Sequence, residues 1–184
     1  MNVIALCGYP RSGKSEVQGI ISDVYGHRCV DDSRPLRDAT KTLYGLDEYH
    51  VATQDGKSRK VAVGDTRKTV REVMGELGVF LEERDPFHLP RLALKTCREQ
   101  DPEGRFVFSS VRRNQNTFLK TQINALVVEV TRPGTTPADV FDEYDRAPID
   151  LTIENIRDTE HPAESLRALR ERVISALDPV LGRR

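Results

Sequence analysis

The sequence predicts an α/β fold, a three-layer arrangement in which helices cover both faces of a parallel sheet of about five strands. Two observations lead to this prediction. Short apolar runs alternate along the chain with longer segments whose apolar residues return at helical spacing, which is the element order of a parallel sheet. The first run, Val3–Cys7, is apolar throughout, as is typical of a strand buried on both faces. It is followed by Gly8 and then by a helical pattern from Lys14 to about Tyr25.

The second strand and the region after it are short or polar. Cys29 and Val30 form the predicted strand, and Ser33 suits the N-cap of a helix whose apolar residues return at helical spacing. Gly45 ends this helix, because glycine readily adopts the left-handed conformation common at helix C-termini. Residues 46–64 are polar and show no clear period, so we expect a loop there with at most one short helix.

The middle of the chain carries two further predicted helices. Asp65 or Thr66 caps the first, whose apolar stripe ends near Gly78. Pro86 opens the second, because proline is favoured in the first turn of a helix, and this helix runs to about Glu99.

The second half of the chain returns to strands. We expect strands over 105–111 and 125–130 with a polar helix between them, a Pro- and Asp-rich surface loop over 131–148, and a last short strand at 151–153. An amphipathic helix over 162–177 follows. Its predicted inward-facing residues are Leu166, Leu169, Val173 and Leu177. In a sheet of this kind ligands bind beyond the carboxyl ends of the strands, so site residues are expected directly after them.

Length and composition indicate a single domain spanning 1–184. The 28 basic and 29 acidic residues leave a formal net charge of −1, which argues against a general electrostatic grip on nucleic acid. No apolar run approaches the roughly 20 residues of a membrane span, and no basic leader segment begins the chain. We therefore expect a cytoplasmic protein with no membrane partner.

The three cysteines, Cys7, Cys29 and Cys97, are odd in number and widely spaced, with no metal-ligand pattern. We expect them to be buried thiols in a reducing compartment.

The most specific feature of the sequence is a phosphate-loop motif. Residues 8–15 match G-x-x-x-x-G-K-[ST] in full, between an apolar strand and a helical pattern. Gly8 and Gly13 allow the tight turn in which backbone N–H groups point at phosphate oxygens, with Arg11 and Ser12 inside the loop. Lys14 supplies a charge for the β- and γ-phosphates, and the Ser15 hydroxyl is a ligand for Mg²⁺. The motif predicts a P-loop NTPase fold that binds ATP and Mg²⁺.

A phosphate loop alone does not separate a GTPase, an ATPase motor and a kinase of small molecules. The chain lacks the guanine-reading N-K-x-D element and is too short for most motor domains. It does carry many arginines in the predicted rim segments, which favours a kinase, because two phosphorylated substrates need their charge neutralised and their groups held in line. These arginines are Arg34, Arg37, Arg67, Arg71, Arg84, Arg112, Arg113, Arg132 and Arg146.

Two of these arginines are predicted to act together. Arg67 and Arg71 are four residues apart at the start of one predicted helix, so we expect both to project from one helix face. Arg37 follows the second strand, beside the same expected crevice.

Six blocks of the sequence, taken in order, resemble the bacteriophage deoxynucleoside monophosphate kinases, relatives of the nucleoside monophosphate and dephospho-coenzyme A kinases. The phosphate loop is the one block that is specific by itself. The others are residues 35–37 with 43–46, residues 66–78, Val-Phe-Ser-Ser-Val-Arg at 107–112, residues 128–134 and residues 150–155. Together they span nearly the whole chain.

The resemblance implies transfer of the γ-phosphoryl group of ATP to a deoxynucleoside 5′-monophosphate, in the host cytoplasm for a phage-encoded enzyme. It implies that Lys14 and Ser15 hold ATP and Mg²⁺, that Arg112 and Arg132 face the transferring group, and that Asn155 lies near the adenine. The acceptor-binding residues are expected within a helical region over 33–100 and beside it. They are Asp32, Arg37, Arg67, Arg71 and Arg84.

One position departs from the family pattern. Ser110 stands where the family often has an acidic residue that helps to hold Mg²⁺, and Asp31 or Asp32 is expected to substitute for it. The segment 131–148 would serve as a short lid that brings in Arg132 and Arg146. Two alternatives stay open: a kinase of another small acceptor such as dephospho-coenzyme A, and a nucleotide-binding regulatory protein that has lost transfer. A homodimer also stays open.

Overall fold

The structure is a computed structural model that describes residues 2–109, 111–137 and 142–182. Its backbone divides into two compact units. The first unit comprises Met1–Asp32 and Leu94–Arg184, and the second comprises Ser33–Ala93. The second unit falls within the predicted acceptor-binding region 33–100, whose role stays a prediction. No helix in the described part of the chain is both long enough and apolar enough to cross a membrane.

The helices and strands of the described residues alternate along the chain. In order they are β1 Val3–Cys7, α1 Lys14–Tyr25, β2 Arg28–Val30, α2 Arg34–Tyr44, α3 Glu48–Ala52, α4 Gln54–Ser58, β3 Lys60–Val63, β4 Thr66–Thr69, α5 Val70–Arg84, α6 His88–Gln100, β5 Phe106–Phe108, α7 Gln115–Ile123, β6 Leu126–Thr131, β7 Leu151–Glu154 and α8 Pro162–Leu181.

The sheet of the first unit has five parallel strands among the described residues, in the order β2-β5-β1-β6-β7. Strand β1 lies in the middle and is buried along its whole length. It pairs on one side with β5, Ala5 lying opposite Phe108, and on the other side with β6, Cys7 lying opposite Glu129. Because all five strands run in one direction, the loops after their carboxyl ends emerge at one edge of the sheet.

Apolar side chains cover both faces of this sheet. Ile4 and Leu6 of β1 form one buried cluster with α1 and α8, including Ile21 and Leu177. The alternate residues of β1 face the other way, and α7 packs against β1 and β6 outside that cluster, with Leu119 fully buried. Each fully buried Leu or Ile stabilises the fold by about 1.5–3 kcal/mol. The predicted α/β fold, with a five-stranded parallel sheet and helices on both faces, is confirmed.

The expectation of a loop with at most one short helix over 46–64 is wrong. The segment folds as α3, α4 and the strand β3. Each short helix has its own cap, since the Asp47 side chain accepts from the His50 N–H and the Thr53 hydroxyl accepts from the Gly56 N–H. Burial of Val51 ties α3 into the second unit. These short helices depend on capping side chains and on a single buried apolar residue. The segment therefore has no repeating apolar pattern from which helices could be predicted.

The predicted start and end of the following helix are also wrong. Thr66 begins β4, which pairs antiparallel with β3, and helix α5 starts only after Thr69. Thr69 and Glu72 form a reciprocal capping box, in which each side chain accepts from the backbone N–H of the other residue. Helix α5 then continues through Gly78 to Arg84, and a Cβ at Gly78 would lie 3.6 Å from a Leu36 methyl carbon.

This boundary separates two arginines that were expected on one helix face. Arg67 lies in β4, whereas Arg71 lies in the first turn of α5. Two residues four positions apart share a helix face only when both are helical. Arg67 precedes the N-cap Thr69, so this rule does not apply to the pair.

Three smaller expectations are corrected at the edges of the first unit. Strand β5 stops at Phe108, where its pairing with β1 ends, and does not continue to residue 111. Leu166 is 52% exposed, because the buried stripe of α8 begins one turn later at Leu169. Cys29 is an exposed free thiol on the edge strand β2, whereas Cys7 and Cys97 are buried as predicted.

Candidate functional site

The phosphate loop leaves the carboxyl end of the central strand β1 in a strained path that requires glycine. Gly8 has φ 141°, and a Cβ there would lie 2.2 Å from the Val130 carbonyl oxygen. Gly13 has φ 100°, which side chains rarely adopt. The Ser12 N–H donates to the Tyr9 carbonyl oxygen at 3.2 Å and closes the turn between the two glycines. The loop therefore folds as a tight turn that ends at the N-terminus of α1, a site suited to an anion.

Lys14 is half-buried at the end of this loop. Its ammonium donates to the carbonyl oxygens of Gly8 at 2.7 Å and Tyr9 at 2.9 Å. Burial lowers the pKa of Lys14 to about 8, and the neighbouring Arg112 guanidinium acts in the same direction. A partly desolvated cation beside a second cation is an arrangement that a polyanion stabilises.

Arg112 follows β5 and is held by a carboxylate that the sequence did not single out. Its guanidinium forms an ion pair with Asp142 at 2.8 Å, and the Asp142 side chain is 2% exposed. Asp142 also acts on Lys14, since its charge raises the pKa of that lysine against the effect of burial. No sequence signal pointed to this role, because Asp142 is one of several acidic residues in a polar loop.

The segment that carries Asp142 is anchored to the loop after β5. The Arg113 N–H donates to the Glu143 carbonyl oxygen at 2.6 Å, and the Asp145 N–H donates back to the Arg113 carbonyl oxygen at 3.1 Å. The Thr117 hydroxyl of α7 donates to the Asp145 carboxylate at 2.5 Å. Residues 142–145 therefore hold a defined position in the first unit. The lid role of 131–148 stays a prediction, and residues 138–141 lie outside the described part of the chain.

Arg132 and Asn155 follow β6 and β7 and lie against the phosphate loop. A Cβ at Gly13 would lie 1.9 Å from the Asn155 amide nitrogen and 3.1 Å from a terminal nitrogen of Arg132. The Asn155 amide donates to the Ser12 carbonyl oxygen at 2.9 Å. The Arg132 Nε is buried without a hydrogen-bond partner among the described residues. The structure thus brings both predicted site residues to the loop.

A buried glutamate next to the loop is a second feature that sequence reasoning missed. Glu129 lies opposite Cys7 in the sheet and accepts from the Tyr144 hydroxyl at 2.7 Å and the Thr152 hydroxyl at 3.1 Å. It also pairs with the Arg146 guanidinium at 3.2 Å. Burial raises the pKa of the Cys7 thiol to about 12, and Glu129 acts in the same direction. A lone acidic residue in the apolar run of β6 was the signal that could have found it.

Arg146 joins this network to the phosphate loop. Its guanidinium lies 5.9 Å from the ring centre of Tyr9 and 5.4 Å from that of Tyr144, and these two rings are 5.5 Å apart. Because Tyr9 belongs to the phosphate loop, Arg146 lies beside that loop while it is paired with the buried Glu129 carboxylate.

The predicted metal ligands can be placed only in part. Ser15 lies exposed in the first turn of α1, and Asp32 is buried after β2, where its charge raises the pKa of Lys14. Ser110, the departure from the family pattern, lies outside the described residues.

Four arginines predicted to bind the acceptor belong to the second unit, and two of them are half-buried. Arg37 of α2 donates to the Ser33 hydroxyl at 3.1 Å. Arg71 of α5 donates to the Gln54 side-chain oxygen at 2.6 Å. The Gln54 oxygen is neutral, so this contact leaves the positive charge of the Arg71 guanidinium in place.

Two further arginines predicted to bind the acceptor, Arg67 and Arg84, are exposed. Arg67 donates to the Lys60 carbonyl oxygen across the β3–β4 hairpin at 3.3 Å. Arg84 stacks over the Phe80 ring at 3.7 Å and donates to the Phe80 carbonyl oxygen at 3.3 Å. Their predicted role in acceptor binding stays a prediction.

Comparisons with known proteins add little to this site. The sequence matches no protein-family model and no curated protein. Among solved structures, the unliganded structure of a sugar kinase from Janibacter sp. HTCC2649 aligns over 98% of this chain and 96% of that chain, with a TM-score of 0.44 and 15% sequence identity. Similarity at this level carries no argument about function, which rests on the site itself.

Proposed function

We propose that the chain is a P-loop kinase that transfers the γ-phosphoryl group of ATP to a deoxynucleoside 5′-monophosphate. The observation that carries the proposal is the phosphate loop itself, folded with positive φ at Gly8 and Gly13. Cationic side chains from three strand ends gather with it in the first unit: Lys14 after β1, Arg112 after β5 and Arg132 after β6. This set fits the charge of a nucleoside triphosphate.

In this reaction an oxygen of the acceptor phosphate attacks the γ-phosphorus, and the bond from that phosphorus to the β,γ-bridging oxygen breaks to release ADP. Lys14, Arg112 and Arg132 would neutralise charge on the phosphoryl oxygens. Such catalysis works by positioning and electrostatic stabilisation and needs no covalent intermediate on the protein. Asp142 supports it by holding Arg112 at 2.8 Å.

The oxygen donors near the loop fit Mg²⁺. The Ser15 hydroxyl lies at the start of α1, and the Asp32 carboxylate follows β2. Hydroxyl and carboxylate oxygens are the ligands that this ion prefers. When bound, Mg²⁺ supplies positive charge that offsets the charge of the phosphates.

The acceptor is assigned to the arginines of the second unit, and this assignment rests on the resemblance and on arginine chemistry. A guanidinium holds a phosphate through two parallel hydrogen bonds. Arg71 donates to the neutral side-chain oxygen of Gln54, which a phosphate oxygen can replace.

An acceptor panel tests the proposal. ADP release is measured with ATP and Mg²⁺ in the presence of each deoxynucleoside monophosphate, each ribonucleoside monophosphate, dephospho-coenzyme A, or no acceptor. We expect acceptor-dependent ADP release with at least one deoxynucleoside monophosphate. Release with dephospho-coenzyme A alone would identify the other kinase activity. ATP binding without ADP release for any acceptor would favour the regulatory alternative.

A further inference from the structure

Asn155 makes a contact that its predicted place near the adenine does not explain. It follows β7 directly, and its own N–H donates to the Thr131 carbonyl oxygen at 2.7 Å, which fixes its backbone to the end of β6. Its amide donates to the Ser12 carbonyl oxygen at 2.9 Å, a buried hydrogen bond between residues 143 positions apart in sequence. The side chain is therefore held between the edge of the sheet and the middle of the phosphate loop.

The Ser12 carbonyl and the Gly13 N–H belong to one peptide unit. That unit is planar and trans, so its C=O and N–H point in opposite directions. A hydrogen bond that fixes the Ser12 carbonyl toward Asn155 consequently fixes the Gly13 N–H away from Asn155. It also polarises the peptide, which strengthens the N–H as a donor.

The fit between Asn155 and Gly13 is tight. A Cβ on Gly13 would lie 1.9 Å from the Asn155 amide nitrogen, a distance that no real contact allows. The glycine is thus required by the asparagine as well as by its own φ of 100°. Asn155 is 4% exposed, which leaves almost none of its surface for contact with a nucleobase.

We propose that Asn155 is a positioning residue for the phosphate loop, which orients the Ser12–Gly13 peptide so that its N–H serves polyphosphate binding, and that it does not recognise the base. The inference rests on the proposed function only in taking the loop as a polyphosphate site. If Asn155 has this role, its side chain should be needed to bind any triphosphate chain, whether or not a nucleoside is attached.

The test measures binding of three probes by calorimetry: ATP, GTP and inorganic tripolyphosphate. Asn155→Leu keeps the approximate size and the neutrality of the side chain but removes the donor that faces the Ser12 carbonyl. We expect it to weaken the binding of every probe that the wild type binds by the same factor, about tenfold or more, with the melting temperature within a few degrees of wild type. Ile156→Ala is the matched control, because Ile156 is the next residue and is 48% exposed. It should change neither quantity.

The outcomes separate the competing roles. Weaker ATP binding with unchanged tripolyphosphate binding would make Asn155 a base contact and overturn the inference, as would unchanged binding of all probes. A fall in melting temperature with unchanged affinities would make it merely structural. Wild-type protein that binds no probe would overturn both the inference and the proposed function. Wild-type protein that binds the probes but phosphorylates no acceptor would overturn the proposed function alone.

A double-mutant cycle gives a second measurement that does not depend on one variant. Gly13→Ala introduces the clash with Asn155, and Asn155→Ala removes the group it meets. The strain of φ 100° is common to both backgrounds and cancels in the cycle. We expect Gly13→Ala to reduce tripolyphosphate affinity about tenfold less in the Asn155→Ala background than in the wild type. Equal reductions in the two backgrounds would show that the two residues do not act together.

Discussion

Two predicted site arginines of the first unit and one of the second are held in different ways. In the first unit, Arg112 and Arg146 each form an ion pair with a buried carboxylate, from Asp142 and Glu129 respectively. In the second unit, Arg71 donates to the neutral side-chain oxygen of Gln54. The two arginines are themselves partly exposed, but removing either one would leave a buried carboxylate without its ionic partner, which is unfavourable. A hydrogen bond to a neutral oxygen contributes only about 0.5–1.5 kcal/mol.

This difference bears on what each group of arginines can do. A guanidinium backed by a buried acid keeps its position before any ligand arrives, which suits charge stabilisation during transfer. A guanidinium bound to a neutral oxygen has no carboxylate to neutralise its positive charge. An incoming phosphate can therefore bind it by replacing that oxygen. The comparison therefore predicts a preset role for Arg112 and Arg146, the preset group, and an adjustable role for Arg71.

The largest effect is expected at Lys14 of the phosphate loop, the neighbour of Arg112 in the preset group. Lys14→Ala should reduce phosphoryl transfer by ~10²-fold or more, because it removes the charge that follows the phosphates. The melting temperature should change little, since burial of this cation is already unfavourable, as its lowered pKa shows. Steady-state ADP release and a thermal melt check both parts. Lys95→Ala, whose side chain is 70% exposed in a surface ion pair, is the control. Full activity in Lys14→Ala would remove the phosphate loop from the mechanism.

The adjustable group is tested next. Arg71→Lys should raise the KM for the acceptor monophosphate by at least ~10-fold, about 1.4 kcal/mol, because an ammonium cannot form two parallel hydrogen bonds to a phosphate. The KM for ATP should stay the same, and kinetics with each substrate varied separately decide. Arg59→Lys serves as the control, since Arg59 pairs with Asp55 on the surface. A raised ATP KM with a normal acceptor KM would place Arg71 with the donor and erase the contrast between the units.

A third experiment separates position from charge in the preset group. Asp142→Asn leaves Arg112 without its ionic partner, so we expect kcat to fall about tenfold. Removal of a negative charge beside the loop should not weaken ATP binding, and the KM for ATP is expected to stay equal or to decrease. Glu143→Gln changes an exposed neighbour and should leave both constants unchanged. A higher ATP KM in Asp142→Asn, with kcat intact, would show that Asp142 serves binding and does not position Arg112 for transfer.

The smallest effect concerns pH. The Lys14 pKa of about 8 means that its ammonium is present at pH 7 and is progressively lost as the pH rises through 8. If binding requires the ammonium, the Kd for ATP should increase about fourfold between pH 7 and pH 8.5. Titration calorimetry at several pH values measures this rise, and Lys14→Met, which has no ammonium to lose, should not show it. The same slope in both proteins would assign the titration to another group.

The elements that the sequence predicts well are those whose cause is local. Helix α1 runs from Lys14 to Tyr25 as expected, because its apolar spacing and the flanking glycines belong to one short segment. The phosphate loop is predicted for the same reason, since Gly8 and Gly13 meet a backbone requirement within the motif itself. The errors lie where local signals compete: Thr66 looked like a helix cap, but pairing with β3 placed it in a strand.

The site follows the same division. Lys14 could be chosen from the sequence because it lies in the motif, Arg132 and Asn155 because each directly follows a strand, and Arg112 because it follows the strand predicted over 105–111. Asp142 could not, since only the anchoring of its segment to the loop after β5 brings it to Arg112.

The sequence by itself determined the parallel α/β architecture, the position of the phosphate loop and the type of residue found at each strand end, because these depend on period, apolar runs and glycine conformation. The tertiary structure decided the strand order, the carboxylate partners Asp142 and Glu129, and the contact of Asn155 with Ser12. Such contacts join residues far apart in the chain, and they form because strand pairing and core burial offset the entropy of closing the long loops between them. No local pattern records that balance, so residues that depend on it are found only once the chain is folded.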